Sequence, residues 1–220
     1  MKNILNNQLI KEYIQNEWSF SNDVLYNLCR ENFLHKDNEK ILAKVLLIGR
    51  TYAAAIERRK NKEDINDDFY IETVAPEIKS SDLDKFLKEL SQFDKVNEEN
   101  LLKVLEAHKY FTDLTVKITG LNKRSFCSKY LHFHLPNLFF MYDNRVVGSL
   151  RPFIPKTPKK FEKIIKSNNV DNEYAKFVCK SFTMKEEMQQ TFGVELTVRQ
   201  FDNILINLAN KELKTRQQKR

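Results

Sequence analysis

ITGLNKRSFCSKYLHFHLPNLFFMYDNRVVGSL, residues 118–150, decides how the rest of the chain is read. Thr119-Gly120-Leu121-Asn122 reads as a tight turn, because Gly and Asn tolerate positive φ. Lys123 and Arg124 follow at the start of a helix. A turn leading into free helix N–H groups beside cations makes a phosphate seat. Within the helix Phe126, Lys129, Tyr130 and Phe133 recur at spacings of three and four. They share one face, which sets Lys129 among aromatics. Pro136 ends that helix. Phe139-Phe140-Met141-Tyr142 reads as a short buried connection, and Asp143 stands where it can cap the next helix.

This order of turn, helix, loop and acid resembles the helix-hairpin-helix DNA glycosylase superfamily, including the oxoguanine glycosylases. Gly120-Leu121-Asn122-Lys123-Arg124 resembles that family's G-V-G-x-K hairpin. Tyr142-Asp143-Asn144-Arg145-Val146 resembles the segment that carries its catalytic Asp, and archaeal oxoguanine glycosylases have a similar D-x-R-V element. The resemblance covers about thirty residues of the 220. It implies an all-α fold with a helix-hairpin-helix-like element, extrusion of a damaged base and cleavage of its N-glycosidic bond. Two positions depart from the pattern. Asn122 replaces the second hairpin Gly, and Arg124 falls where the family has its lysine nucleophile. Arg cannot form a Schiff base, so Lys123 and Lys129 are the neighbouring amines that could substitute.

The bulk composition agrees with a helical protein. A chain of 220 residues, 41% hydrophobic, is long enough and apolar enough for a real core. Only four Gly and five Pro occur, which argues against a turn-rich all-β fold. No apolar run reaches the ~18 residues of a membrane span, and the first residues lack a signal-peptide core, so a cytoplasmic protein is expected. Cys29, Cys127 and Cys179 are scattered and odd in number, as for reduced thiols, and no metal-ligand spacing or cofactor motif is present. One helical domain over 1–220 is expected, or two lobes at about 1–117 and 118–220.

Apolar periodicity places the elements. Leu5, Leu9, Tyr13 and Ile14 mark a first helix, with Trp18 and Phe20 as core anchors. Ser21 or Asn22 caps a second helix, and Asp37 or Asn38 caps a third from Glu39 to Arg59. That third helix is apolar on most sides and is expected to be central. Gly49 and Ala53-Ala54-Ala55 let a neighbour approach it closely, and Glu57 to Lys62 marks an exposed end. Phe69, Ile71 and Val74 read as a short strand or an irregular connection before Pro76. Ser80 or Ser81 caps a helix through Leu90, and Asn97 starts the helix that leads into Gly120. Pro152, Pro155 and Pro158 stiffen a surface segment, and helices follow at about 159–190, broken near Asn168, and at 197–214.

Charge is uneven along the chain. Residues 145–220 hold 16 Lys and Arg against 8 Asp and Glu, whereas 1–144 hold 21 against 22. A basic third beside a candidate hairpin favours a polyanion partner. The expected partner is nucleic acid, DNA in the first instance. Candidate contacts are Gly120, Asn122, Lys123, Arg124, Arg145, Arg151, Lys156, Lys159 and Lys160. Dispersed lysines can also serve solubility alone.

Candidate catalytic residues are Asp143, Lys129 and Lys123. Asp143 is the only acid between Asp113 and Glu162. Taken alone, helix capping is its commoner role. In a glycosylase it would favour the developing sugar cation or activate the nucleophile. Lys129 either snorkels from an apolar face or, half-buried among aromatics, becomes a better nucleophile through a lowered pKa. His132 and His134 point to nearly opposite sides of a helix and so do not share a metal. Three classes follow: a base-excision glycosylase, a nucleic-acid-binding module without the chemistry, and a helical protein-interaction or toxin–antitoxin type protein. The first two require a cleft holding Asp143 and Lys129 beside the basic segment. The third would bury Asp143 in a cap with no cleft.

Overall fold

The computed structural model describes residues 1, 4–15, 19–59 and 66–217, with the backbone alone at 66 and 212–217. Trp18, Lys60 to Lys62 and residues 218–220 lie outside the described residues. Within them all regular structure is helical: α1 Asn7–Tyr13, α2 Ser19–Glu31, α3 Asn38–Thr51, α4 Asn66–Asp68, a π-turn Phe69–Val74, α5 Ala75–Lys79, α6 Leu83–Leu90, α7 Leu101–Thr119, α8 Arg124–His134, α9 Asn144–Ser149, a 3-10 turn Lys159–Phe161, α10 Glu162–Ile165, α11 Asn172–Phe192 and α12 Val198–Gln217. One cluster of buried apolar side chains runs from Leu5 to Leu205. None of these helices is long and apolar enough to cross a membrane.

Helix α8 is the most completely buried, and α3, which holds the first part of 39–59, packs on α2, α5, α8 and the π-turn. Helices α2, α3 and α7 all pack on α8, and every residue from Phe126 to His134 is buried. Periodicity indicated one buried face. The polar side chains on the other faces are buried too because each finds a partner, which offsets the cost of desolvation. His132 Nδ1–H donates to Phe139 O, 2.8 Å, and its Nε2 accepts from Tyr26 Oη–H, 2.8 Å. Ser128 Oγ accepts from Tyr142 N–H, 2.9 Å. His134 Nδ1–H donates to Tyr130 O, 2.8 Å, and its Nε2 accepts from the fully buried ammonium of Lys44, 3.1 Å. The two histidines thus serve different neighbours, as their opposite directions require.

The joint between α7 and α8 follows its sequence closely. Gly120 caps α7 at φ 68°, the left-handed region, and its N–H donates to Val116 O, 2.7 Å. A side chain there would be strained. Asn122 Oδ1 then accepts from Arg124 N–H, 3.0 Å, and opens α8.

Helix α3 is shorter than the apolar pattern implies. Ala53, at φ 48°, takes the left-handed position where Gly is usual. Ala54 N–H reaches back to Gly49 O, 2.8 Å, and Ala53 N–H to Arg50 O, 3.3 Å, the paired bonds of a Schellman ending. The chain turns so tightly that a Cβ on Gly49 would lie 3.1 Å from Ala55 Cα. The close neighbour of Gly49 is therefore its own returning chain. Because a left-handed alanine costs about 1–2 kcal/mol, less the extra backbone entropy of Gly, Ala53→Gly is expected to raise stability by about 0.5–1 kcal/mol. A higher urea midpoint at unchanged m would show it.

Four further expectations are corrected. Phe20 is 80% exposed rather than a core anchor, because α2 already begins at Ser19 and turns this position outward. Neither Ser21 nor Asn22 caps that helix, and Asn22 is instead buried, accepting from Tyr52 Oη–H. Residues 69–74 form a π-turn rather than a strand, running straight into α5, where Pro76 sits in the first turn and needs no N–H partner. Arg59 is buried with its guanidinium 4.1 Å from the Phe69 ring centroid, so the expected exposed end is closed at that residue.

Candidate functional site

A cleft of about 360 Å³ opens where the end of α3, the start of α9 and one face of α12 meet. Lys129, Met141, Asp143 and Arg145 line it from one side, Tyr52 and Ala53 from a second, and Arg199, Asp202 and Asn203 from a third. Its size falls within the range of ordinary ligand sites.

Lys129 reaches the cleft from the middle of α8 and is 3% exposed. Its Nζ donates to Tyr142 O, 2.7 Å, and to Ser125 Oγ, 2.8 Å. Both acceptors are neutral. Burial therefore governs, and lowers the pKa of Lys129 to about 8 against the pull of Asp143 and Asp202. An amine in that state is partly unprotonated near neutrality and nucleophilic.

Asp143 caps α9, its Oδ1 accepting from Arg145 N–H, 2.8 Å. Arg145 also grips the carboxylate with its guanidinium, Nε to Oδ1 at 3.2 Å and Nη2 to Oδ2 at 3.0 Å. Burial would raise the pKa of Asp143, but these hydrogen bonds outweigh it and hold the group below the usual range. Asp143 is thus both a helix cap and an ionised wall of the cleft.

Residues on α12 complete the site. Asp202 is 6% exposed, with Oδ2 3.2 Å from Arg199 Nη1. Burial raises its pKa to about 6 although Arg199 and Lys129 oppose the shift. Arg199 also lies 5.8 Å from the Tyr52 ring centroid and 3.7 Å from Met141 Sδ. Neither Arg199 nor Asp202 stands among the candidates that the sequence offers, where 197–214 is a helix with no assigned role. The available signal was Arg199, Asp202, Asn203 and Asn207 at helical spacing beside the apolar residues Phe201, Ile204, Leu205 and Leu208.

Matched against models of protein families, curated proteins and solved structures, the chain shows no match.

Of the three candidate catalytic residues the fold brings Lys129 and Asp143 into one cleft. Lys123 is not among the lining residues; its Nζ donates to Arg58 O, 2.5 Å. The candidate nucleic-acid contacts divide. Arg124 is ion-paired with Asp171, 2.8 Å, and lies over Tyr142, while Asn122 Nδ2–H also donates to Asp171, 3.3 Å. Arg145 is held by Asp143, and Lys160 pairs with Glu98, 2.5 Å, and Glu186, 3.5 Å. Gly120 is half-buried at the turn. Arg151, Lys156 and Lys159 are exposed, and Lys180 Nζ donates to Pro155 O, 3.1 Å, stitching their segment to α11. Among the described residues no three His, Cys, Asp or Glu side chains converge in a way that could hold a metal.

Proposed function

We propose that the protein binds DNA and removes a base extruded from it, with Lys129 and Asp143 acting on the sugar. The observation that carries this reading is the shared cleft: a buried lysine of lowered pKa and an ionised aspartate face one volume of ligand size. Cleaving an N-glycosidic bond builds positive charge on the sugar, which an anion favours. A neutral amine can then bond to C1′ and hold the strand as a covalent adduct. Tyr52 supplies an aromatic wall on which a base could stack. The α7–α8 joint supports the resemblance to a helix-hairpin-helix in its length and in the left-handed Gly120.

The test is a base-release assay on duplexes carrying a panel of damaged bases, with borohydride added to trap any imine. Release of at least one base is expected. If the whole panel stays intact, the reading falls.

A second reading is a binding module without chemistry. It is favoured by Arg124, which stands where the resembling family has its lysine and is committed to Asp171. Both readings place the phosphate backbone along the exposed basic segment. Replacing Lys156 and Lys159 by Ala together should lower the slope of log affinity against log salt by about 1.8, since each phosphate contact contributes about 0.9. Fluorescence anisotropy across a salt series measures it, and an unchanged slope would remove these two lysines from the interface.

A further inference from the structure

We infer that Asp202 is the proton donor to the departing base, a third catalytic group beside Lys129 and Asp143. The inference rests on the base-excision reading and deepens it.

The leaving group sets the requirement. When the C1′–N bond breaks, its electron pair goes to the base, and a neutral purine or pyrimidine leaves as an anion unless a ring nitrogen gains a proton. Lys129 cannot give that proton and also attack as a free amine. Asp143 cannot give it, because three hydrogen bonds from Arg145 hold it as the anion. Asp202 is the other acid in the cleft lining.

Its surroundings suit the role. Asp202 is 6% exposed, lies near the start of α12 and has Arg199 Nη1 at 3.2 Å. The groups that face it are Arg199 on α12, Lys129 on α8, Asp143 and Arg145 at the start of α9, Tyr26 on α2 and Tyr52 at the end of α3. Burial outweighs the nearby cations and brings Asp202 to titrate at about 6, while Asp143 in the same cleft stays below the usual range. Two carboxyls pushed apart in this way divide the tasks of acid and anion.

The step balances. The Asp202 proton passes to a ring nitrogen of the base as C1′–N breaks, and the base leaves neutral. The free amine of Lys129 bonds to C1′. The proton that its nitrogen then sheds returns to the Asp202 carboxylate, so the acid is restored.

The experiment compares Asp202→Asn with wild type on two duplexes, one carrying a neutral damaged purine and one an N7-alkylated purine. The alkylated base already bears the positive charge and needs no proton. For the neutral base the variant should lose about 10²–10⁴-fold in single-turnover rate, the usual worth of a general acid. For the alkylated base it should lose less than about tenfold. The pH profiles carry a second signature. Wild type on the neutral base should give a bell with limbs near 6 and 8, since Asp202 must be protonated and Lys129 unprotonated. Asp202→Asn should leave only the rise towards 8. Equal losses on both bases, or a bell that survives in the variant, would overturn the assignment while base release by wild type still upheld the excision reading. Absence of release by wild type would overturn both.

Discussion

Asp143→Asn and Lys129→Gln should each cut base release by about 10²–10⁴-fold, through different steps. Asn keeps an oxygen for the Arg145 N–H, so the cap on α9 survives and the fold with it. What disappears is the negative charge beside the developing sugar cation. DNA affinity should therefore hold or rise slightly, while the rate of base release falls. Lys129→Gln removes the amine but retains a side chain that can donate to Tyr142 O and Ser125 Oγ. It should eliminate the adduct trapped by borohydride, and water would then complete what release remains. The pH response separates the roles. Lys129 acts unprotonated, so the acid limb of the wild-type bell, along which release rises with pH, comes from loss of its proton. That rise should vanish in Lys129→Gln. An Asp143→Asn protein that is destabilised yet releases bases at the wild-type rate would make Asp143 a cap and nothing more.

The stretch 118–150 shows what the sequence could and could not reveal about such a site. Gly120, Pro136 and Asp143 each impose a local backbone constraint, and the bounds of α8 and α9 follow from them. Lys129 was visible as a lysine among aromatics. Its depth was not, because burial of the remaining faces of α8 depends on α2 and α3, which arrive from about a hundred residues away. The partners that permit it, such as Tyr26 for His132 and Lys44 for His134, leave no periodic trace. The same holds for Asp202. Its helix packs on α9 and α1, so its place in the cleft is a property of tertiary contact. The end of α3 was hidden for a different reason: Ala53 carries no turn signal, and a strained alanine in the left-handed region looks in sequence like continued helix. Arg124 shows the reverse case, a basic residue in a phosphate-seat pattern whose charge the fold spends internally.

Arg124→Ala should destabilise the protein by about 3 kcal/mol, the order expected when one partner of a buried ion pair is removed. Asp171 is the reason. Its side chain is 5% exposed and that of Arg124 23%, so solvent screens the pair little. Asp171 also caps α11, Oδ1 accepting from Tyr174 N–H at 2.9 Å, and takes the Asn122 amide on Oδ2. The pair thus ties the start of α8 to the start of α11. Burial acts to raise the Asp171 pKa, and the hydrogen bonds from Arg124 and Tyr174 outweigh it, leaving the folded value below the ordinary one. A carboxylate with a lowered folded pKa adds stability above its unfolded pKa of about 3.9, and that stability is lost as pH falls through the folded value. The gap between wild type and Arg124→Ala should accordingly be full at pH 7 and narrow at about pH 4 and below. Asp171→Asn keeps the cap and discharges the site, so adding it to Arg124→Ala should recover much of the loss. Urea unfolding of the four proteins at both pH values closes this double-mutant cycle. A loss under about 1 kcal/mol, equal at both pH values, would mean that Arg124 is a solvated surface cation, and its charge would then be free for phosphate after all.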